Sequence, residues 1–196
     1  MADAQSLTAR SAELLQRLVA FDTTSRRSNL ELIGFVEDEL RACGADLRRV
    51  ANADGSKANL IATLGPAVDG GIMLSGHTDV VPVDGQAWTS DPFTLTRRGD
   101  RLYGRGAADM KGFLALMLAG APHFAKAAAR PVQLAFSYDE EIGCLGAPHM
   151  IEALVRDGPR PATVIVGEPT SMQAVSAIRA SPPIASRSPA RRRTPA

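Results

Sequence analysis

Gly71-Ile-Met-Leu-Ser-Gly-His77-Thr-Asp79 is the stretch on which the reading of this chain turns. Gly71 to Leu74 is a short apolar run of the kind that forms a buried strand. It leads into a histidine and an aspartate two residues apart. Strand ends present side chains at one rim of a sheet, where open α/β folds place their ligands. The pair alone decides little, because an imidazole and a carboxylate at this spacing also occur as ordinary surface residues. Three further acidic sites, each in a similar local context, turn the balance toward a metal centre.

Around this strand the hydrophobic pattern predicts alternating helices and strands. A helix is expected over Thr8–Ala20, with Leu14, Leu15, Leu18 and Val19 on one face. Ser28-Asn-Leu-Glu31 reads as a capping box opening a second helix. Its stripe is Leu30, Ile33, Val36, Leu40 and Cys43, and Gly44 suits the left-handed stop. Strands are expected over Asp46–Val50, Asn59–Leu64, Gly71–Ser75, Val132–Tyr138 and Thr163–Val166, with a shorter one over Asp100–Tyr103. Asp109 reads as the cap of a helix with Phe113, Leu114, Met117, Leu118 and Ala121 inward, and Leu145–Arg156 as another helix. Alternation of this kind predicts an α/β fold, a sheet with helices on both faces.

The acidic sites fall where that pattern breaks. Asp109 lies in Gly104-Arg-Gly-Ala-Ala-Asp109-Met-Lys-Gly112, Asp139-Glu140-Glu141 follows one strand, and Glu168 follows another in Gly167-Glu-Pro-Thr170. Singly, Asp109 reads equally as a helix cap, the glutamate pair as a solvated helix start, and Glu168 as a loop carboxylate. Jointly they supply one imidazole and several carboxylates, a ligand set suited to zinc, cobalt or manganese. A shared carboxylate can bridge two ions about 3.5–4 Å apart, as in two-metal hydrolases. His123 and His149 read as surface or packing residues, and Cys144 as helix packing rather than a thiolate ligand.

With these motifs in view, the chain resembles the metallopeptidase family of acetylornithine deacetylase, succinyl-diaminopimelate desuccinylase, aminoacylase and glutamate-releasing carboxypeptidases. The resemblance runs from about Leu14 to about Ala177. Ser75-Gly-His-Thr-Asp-Val-Val-Pro82, Trp88-Thr-Ser-Asp-Pro-Phe93, Leu102-Tyr-Gly-Arg-Gly106 and Asp109-Met-Lys-Gly112 are similar to that family's zinc-site segments in the same order. Phe21-Asp-Thr-Thr-Ser25, Ser28-Asn-Leu30, Val83-Asp-Gly-Gln86 and Gly167-Glu-Pro-Thr170 are most similar to its acetylornithine deacetylase branch. The resemblance implies a zinc-aminopeptidase-like catalytic domain built on a mixed sheet, incomplete in this chain. It also implies two divalent metal ions, zinc first and cobalt as the alternative, and hydrolysis of N2-acetyl-L-ornithine to ornithine and acetate, a step of arginine biosynthesis. A related N-acyl amino acid stays open as the substrate.

Carried onto this sequence, the resemblance makes His77 a ligand of the first metal, Asp109 the bridge, Glu168 a first-site ligand and Glu141 a second-site ligand. Asp79 would accept a hydrogen bond from the other ring nitrogen of His77, fixing its tautomer. Glu140 would be the general base, taking a proton from the attacking water and passing it to the leaving amine. The Asp109–Met110 peptide bond is expected to be cis, as at the matching position in the family.

Relatives are about twice as long. They continue through a lid domain that also mediates homodimerisation, and they return to the sheet with a further histidine for the second metal. Residues 1–177 therefore read as the N-terminal part of a dinuclear catalytic domain, without the lid. From Ser176 the pattern collapses, and 178–196 reads as a disordered Arg/Pro/Ser-rich tail. Five arginines (Arg179, Arg187, Arg191, Arg192 and Arg193) follow Glu168 and no acidic residue does, so the body of a chain with net charge +1 is mildly acidic. Restoring one base before the codon for Ile178 permits a neighbouring-frame reading that begins His-Lys-Gly, as relatives do. A frameshifted tail, and a truncated form with little or no activity, are the expectation.

Composition fits this class. With 196 residues, 45% hydrophobic and 22% charged, the chain has the make-up of one globular domain. No run approaches the roughly 18 apolar residues of a membrane span. The N-terminal Met1-Ala-Asp-Ala-Gln-Ser6 lacks the regions of a signal peptide. Two cysteines, Cys43 and Cys144, suit a reducing compartment, so a cytoplasmic location is expected. The expected partner is a small-molecule N-acyl amino acid, with no nucleic acid and no membrane. Tail arginines without interleaved aromatics make a poor nucleic-acid surface.

Overall fold

In the computed structural model, which describes residues 4–175, the amphipathic stretches become helices around one principal core. Helix α1 (Ala4–Ala20) buries Leu14, Leu15, Leu18 and Val19, and α2 (Leu30–Arg41) buries Leu32, Ile33, Val36 and Leu40. The expected tail at 178–196 lies outside the described residues.

Strands β1 (Asp46–Ala51), β2 (Ala58–Leu64), β3 (Gly71–His77), β6 (Val132–Ser137) and β7 (Pro161–Val166) form one sheet in the order β1-β2-β6-β3-β7. The β1–β2 and β2–β6 pairs are antiparallel, whereas β3 runs parallel to both β6 and β7. The sheet is therefore mixed, as the resemblance implies. β4 (Thr96–Arg98) and β5 (Arg101–Tyr103) make a separate antiparallel hairpin, of which only β5 shows in the sequence pattern.

Both faces of the sheet carry helices. On one, α1, α2 and α3 (Gly112–Ala127) pack Leu14, Leu18, Ile33, Leu114 and Met117 against Leu60, Leu64, Leu134 and Phe136. On the other, α4 (Ala147–Asp157) sets Met150 and Leu154 on Ile61, Met73 and Ala135. β2 is covered on both faces, which explains its nearly unbroken apolar sequence.

Two expected helix starts differ. The Ser28–Glu31 capping box does not form: Asn29 holds the cap position without a side-chain cap bond, and Ser28 Oγ accepts only from the Leu30 amide at 3.2 Å. Asn29 is engaged elsewhere, taking the Ala58 amide at 3.0 Å and donating to the Ala58 carbonyl at 2.8 Å. Asp109 is not a helix cap either. It sits at φ −121°, ψ 92° within the kinked turn Ala107–Lys111, and α3 starts only at Gly112.

Candidate metal centre

The parallel trio of strands decides where the acidic residues go. β3 lies between β6 and β7, so all three leave the sheet at one rim. Register levels His77 with Ser137 and Ser75 with Val166. Glu168 comes two residues after Val166, and the Asp139–Glu141 turn two residues after Ser137, so both arrive beside His77.

His77 ends β3 and is 2% exposed. Its Nδ1 lies 2.9 Å from the main-chain oxygen of Asp79, an atom that only accepts, so Nδ1 carries a proton. The Asp79 carboxylate stands at 3.5 Å and favours the charged ring by hydrogen bonding and by its charge. The main-chain carbonyl of Asp79 is thus the nearer partner of Nδ1, with the expected side chain beside it. Nε2 faces Asp109 Oδ1 at 3.1 Å, Glu168 Oε1 at 3.6 Å and Glu140 Oε2 at 4.0 Å. Burial opposes a charged ring, but Asp79, Glu168 and Asp109 outweigh it and raise the His77 pKa to about 9.

Asp109 reaches this point through a tight turn. Gly106 opens it at φ 74°, and a Cβ there would lie 2.5 Å from Val80 Cγ1, so only glycine fits. The Asp109–Met110 bond is cis. Lys111 anchors the far end: fully buried, its Nζ donates to the carbonyls of Leu18 at 2.9 Å and Phe21 at 2.7 Å. Burial pushes its pKa down to about 7. Ligand atoms of His77, Asp109 and Glu168 all lie within 4.8 Å of one another, a spacing that suits one metal ion.

The Asp79 carboxylate organises the neighbouring turn. It accepts from Ser25 Oγ at 2.7 Å, from the Glu140 amide at 3.0 Å and from the Glu141 amide at 3.3 Å. Burial works against its charge, yet these bonds and His77 hold its carboxyl below the usual range. Glu141 and Glu168 move the other way. Burial raises both, and the Asp109 carboxylate adds repulsion to each. Converging like charges of this kind are relieved by a cation.

Sequence-predicted residues divide cleanly. His77, Asp109 and Glu168 form the close trio, with Glu140 at its edge; Glu141 stands outside the trio but close enough to feel Asp109. Asp139 is turned away and pairs with Lys57. His123 and His149 are exposed. Cys144 is exposed in the turn before α4, not packed in a helix, and its Sγ lies 3.6 Å from Glu140 Oε1. Trp88 lies under the Arg105 guanidinium, 5.1 Å from its ring centre. Ser25, Asn29, Lys57 and Lys111 are the supporting residues that sequence reasoning left without a role. Their signal is faint: three sit in the motifs Phe21–Ser25, Ser28–Leu30 and Asp109–Gly112, and their partners are remote in sequence.

Residues 73–186 match the sequence model of peptidase family M20/M25/M40, more than half of the chain. The acetylornithine deacetylase of Photorhabdus laumondii is 38% identical over 174 residues, covering 84% of this chain and 44% of its own length. Among solved structures, human carnosine dipeptidase 1 superposes with a TM-score of 0.68 at 23% identity, over 83% of this chain and 39% of that one. The M20 family metallo-carboxypeptidase Sso-CP2 of Sulfolobus solfataricus gives 0.69 at 23% identity, over 80% and 37%. The structural likenesses establish the shared fold. The chain spans less than half the length of each of these relatives.

Proposed function

Because the chain belongs to peptidase family M20/M25/M40, we propose that its rim cluster is the metal centre of an amidohydrolase acting on N2-acetyl-L-ornithine. The observation that carries this reading is the trio of His77, Asp109 and Glu168, with ligand atoms within 4.8 Å of one another. The donor set fits a divalent cation. Nδ1 of His77 is fixed as a donor, which leaves Nε2 for a metal, and the carboxylates around it repel one another. His77 and Glu168 would hold one ion, Asp109 would be shared, and Glu141 would serve a second. Zinc is the first choice and cobalt the alternative.

A bound cation polarises the scissile carbonyl and lowers the pKa of water. The rest of the work falls to side chains. Glu140, outside the trio, accepts the proton of the attacking water on its carboxylate and returns it to the departing amine. Asp79 holds the amides of Glu140 and Glu141, so the base and a ligand are set by one buried charge. His77 is kept in a single orientation by the carbonyl of Asp79.

The identity of 38% to an acetylornithine deacetylase supports acetylornithine over other N-acyl amino acids. Removal of another acyl group, such as succinyl, is the alternative. In this proposal the enzyme belongs to arginine biosynthesis in the cytoplasm and, at the relatives' length, is a homodimer. A second reading, a metal-binding chain without turnover, is favoured by one observation. Among the described residues, His77, Asp109 and Glu168 are the one group with ligand atoms at metal spacing, and neither exposed His123 nor exposed His149 belongs to it. We therefore expect the 196-residue chain to turn over little or no substrate, with residues 178–196 read out of frame. The test assays this chain beside a frame-restored one for ornithine release from N2-acetyl-L-ornithine, with zinc and with cobalt. Turnover confined to the restored chain is expected. Comparable turnover by both, or preference of the restored chain for a succinylated substrate, contradicts the reading.

A further inference from the structure

Asp139 heads three consecutive acidic residues but does not serve the rim. It is 7% exposed, and its carboxylate accepts from the ammonium of Lys57, whose side chain is itself 13% exposed. We propose that Lys57 and Asp139 are a positioning pair that holds the Glu140–Glu141 turn against Asp79. The inference rests on the reading of Glu140 as the proton acceptor.

The contacts close a ring across four chain segments. Lys57, just ahead of β2, donates to Asp139 and to the carbonyl of Ser25. Ser25, in the loop after α1, donates through Oγ to Asp79 Oδ2 at 2.7 Å. Asp79, just beyond β3, receives the amides of Glu140 and Glu141 at 3.0 and 3.3 Å. Those amides follow Asp139 directly, which returns the ring to Lys57. Asp139 also sits at φ 57°, a left-handed conformation that aspartate and asparagine tolerate better than most residues. A carboxylate there enters the turn and finds its countercharge in the same step. Without Lys57 the carboxylate is left buried and unpaired, a strongly unfavourable arrangement that the turn escapes by opening.

The lysine and aspartate do not touch the reacting atoms, so they are positioning residues. The test uses the 15N-labelled, metal-free 196-residue chain and its variants Lys57→Met, Lys57→Arg and Asp139→Asn. Asp139→Asn keeps the backbone conformation and an acceptor while removing the charge. In Lys57→Met, amide exchange at Glu140 and Glu141 should accelerate at least about tenfold relative to Leu134 in β6. Lys57→Arg should restore most of the protection, and Asp139→Asn should fall between. Acceleration no greater than that of Leu134, or an arginine variant as loose as the methionine one, overturns the proposal. If the variants do not fold, the wild type decides. The ammonium protons of Lys57 should exchange more slowly than those of exposed Lys126, and equal rates overturn the pairing. Exchange needs neither metal nor turnover. A wild type that fails to bind zinc would thus defeat the proposed function and leave this result standing.

Discussion

Protonation of His77 and coordination of a cation compete for one atom, Nε2, because Nδ1 is committed to the carbonyl of Asp79. Burial disfavours the imidazolium, but Asp79, Glu168 and Asp109 outweigh it and raise the pKa from 6.5 to about 9. The folded state therefore binds a proton at His77 that the unfolded state releases. The resulting stability is complete below pH 6.5 and is lost as pH rises through about 9. In the metal-free chain, the stability gap between wild type and His77→Gln, from urea denaturation, should be widest below pH 6.5 and shrink to a pH-independent remainder above about 9. A gap that stays constant across that window contradicts the assignment. Comparing the two proteins cancels Lys111, whose depressed pKa of about 7 has the opposite sign, its burial penalty easing as pH rises from there toward 10.5.

At the scale of elements, three parallel strands bring residues 77, 139–141 and 168 to one rim, and α3 packs beneath them. Gly167 shows how close that packing is, because a Cβ there would lie 2.0 Å from Cγ of Phe113 at the start of α3. Cγ sits next to the helix backbone and has little room to move. Gly167→Ala should therefore cost about 1–3 kcal/mol of stability and displace Glu168. A thermal melt indistinguishable from wild type contradicts the contact. The strands and their exit points were legible in the sequence because each is an apolar run stopped by an acid or a histidine. The helix starts were not. Ser28 and Glu31 have the spacing of a capping box, but Asn29 bridges Ala58 and Thr78, and that long-range demand overrides the local one. Lys57 and Ser25 were illegible for the same reason. Their partners lie 82 and 54 residues away, and no local pattern links them.

For the whole molecule, the far edge of the sheet is bare among the described residues. β7 leaves Val164, Ile165 and Val166 at 50%, 46% and 58% exposure, an apolar edge strand with no described neighbour on its outer side. The chain spans 44% of the length of its Photorhabdus relative, so hydrolysis is a property proposed for more polypeptide than is described. Cation binding is different, because all three residues of the close trio lie within it. The most direct test is equilibrium dialysis against zinc of the wild type and of His77→Gln, Asp109→Asn, Glu168→Gln and His149→Gln. The account predicts that the wild type and His149→Gln retain zinc, whereas each of the other three loses at least about tenfold in affinity. Unchanged binding by His77→Gln, or binding lost in His149→Gln, would contradict it.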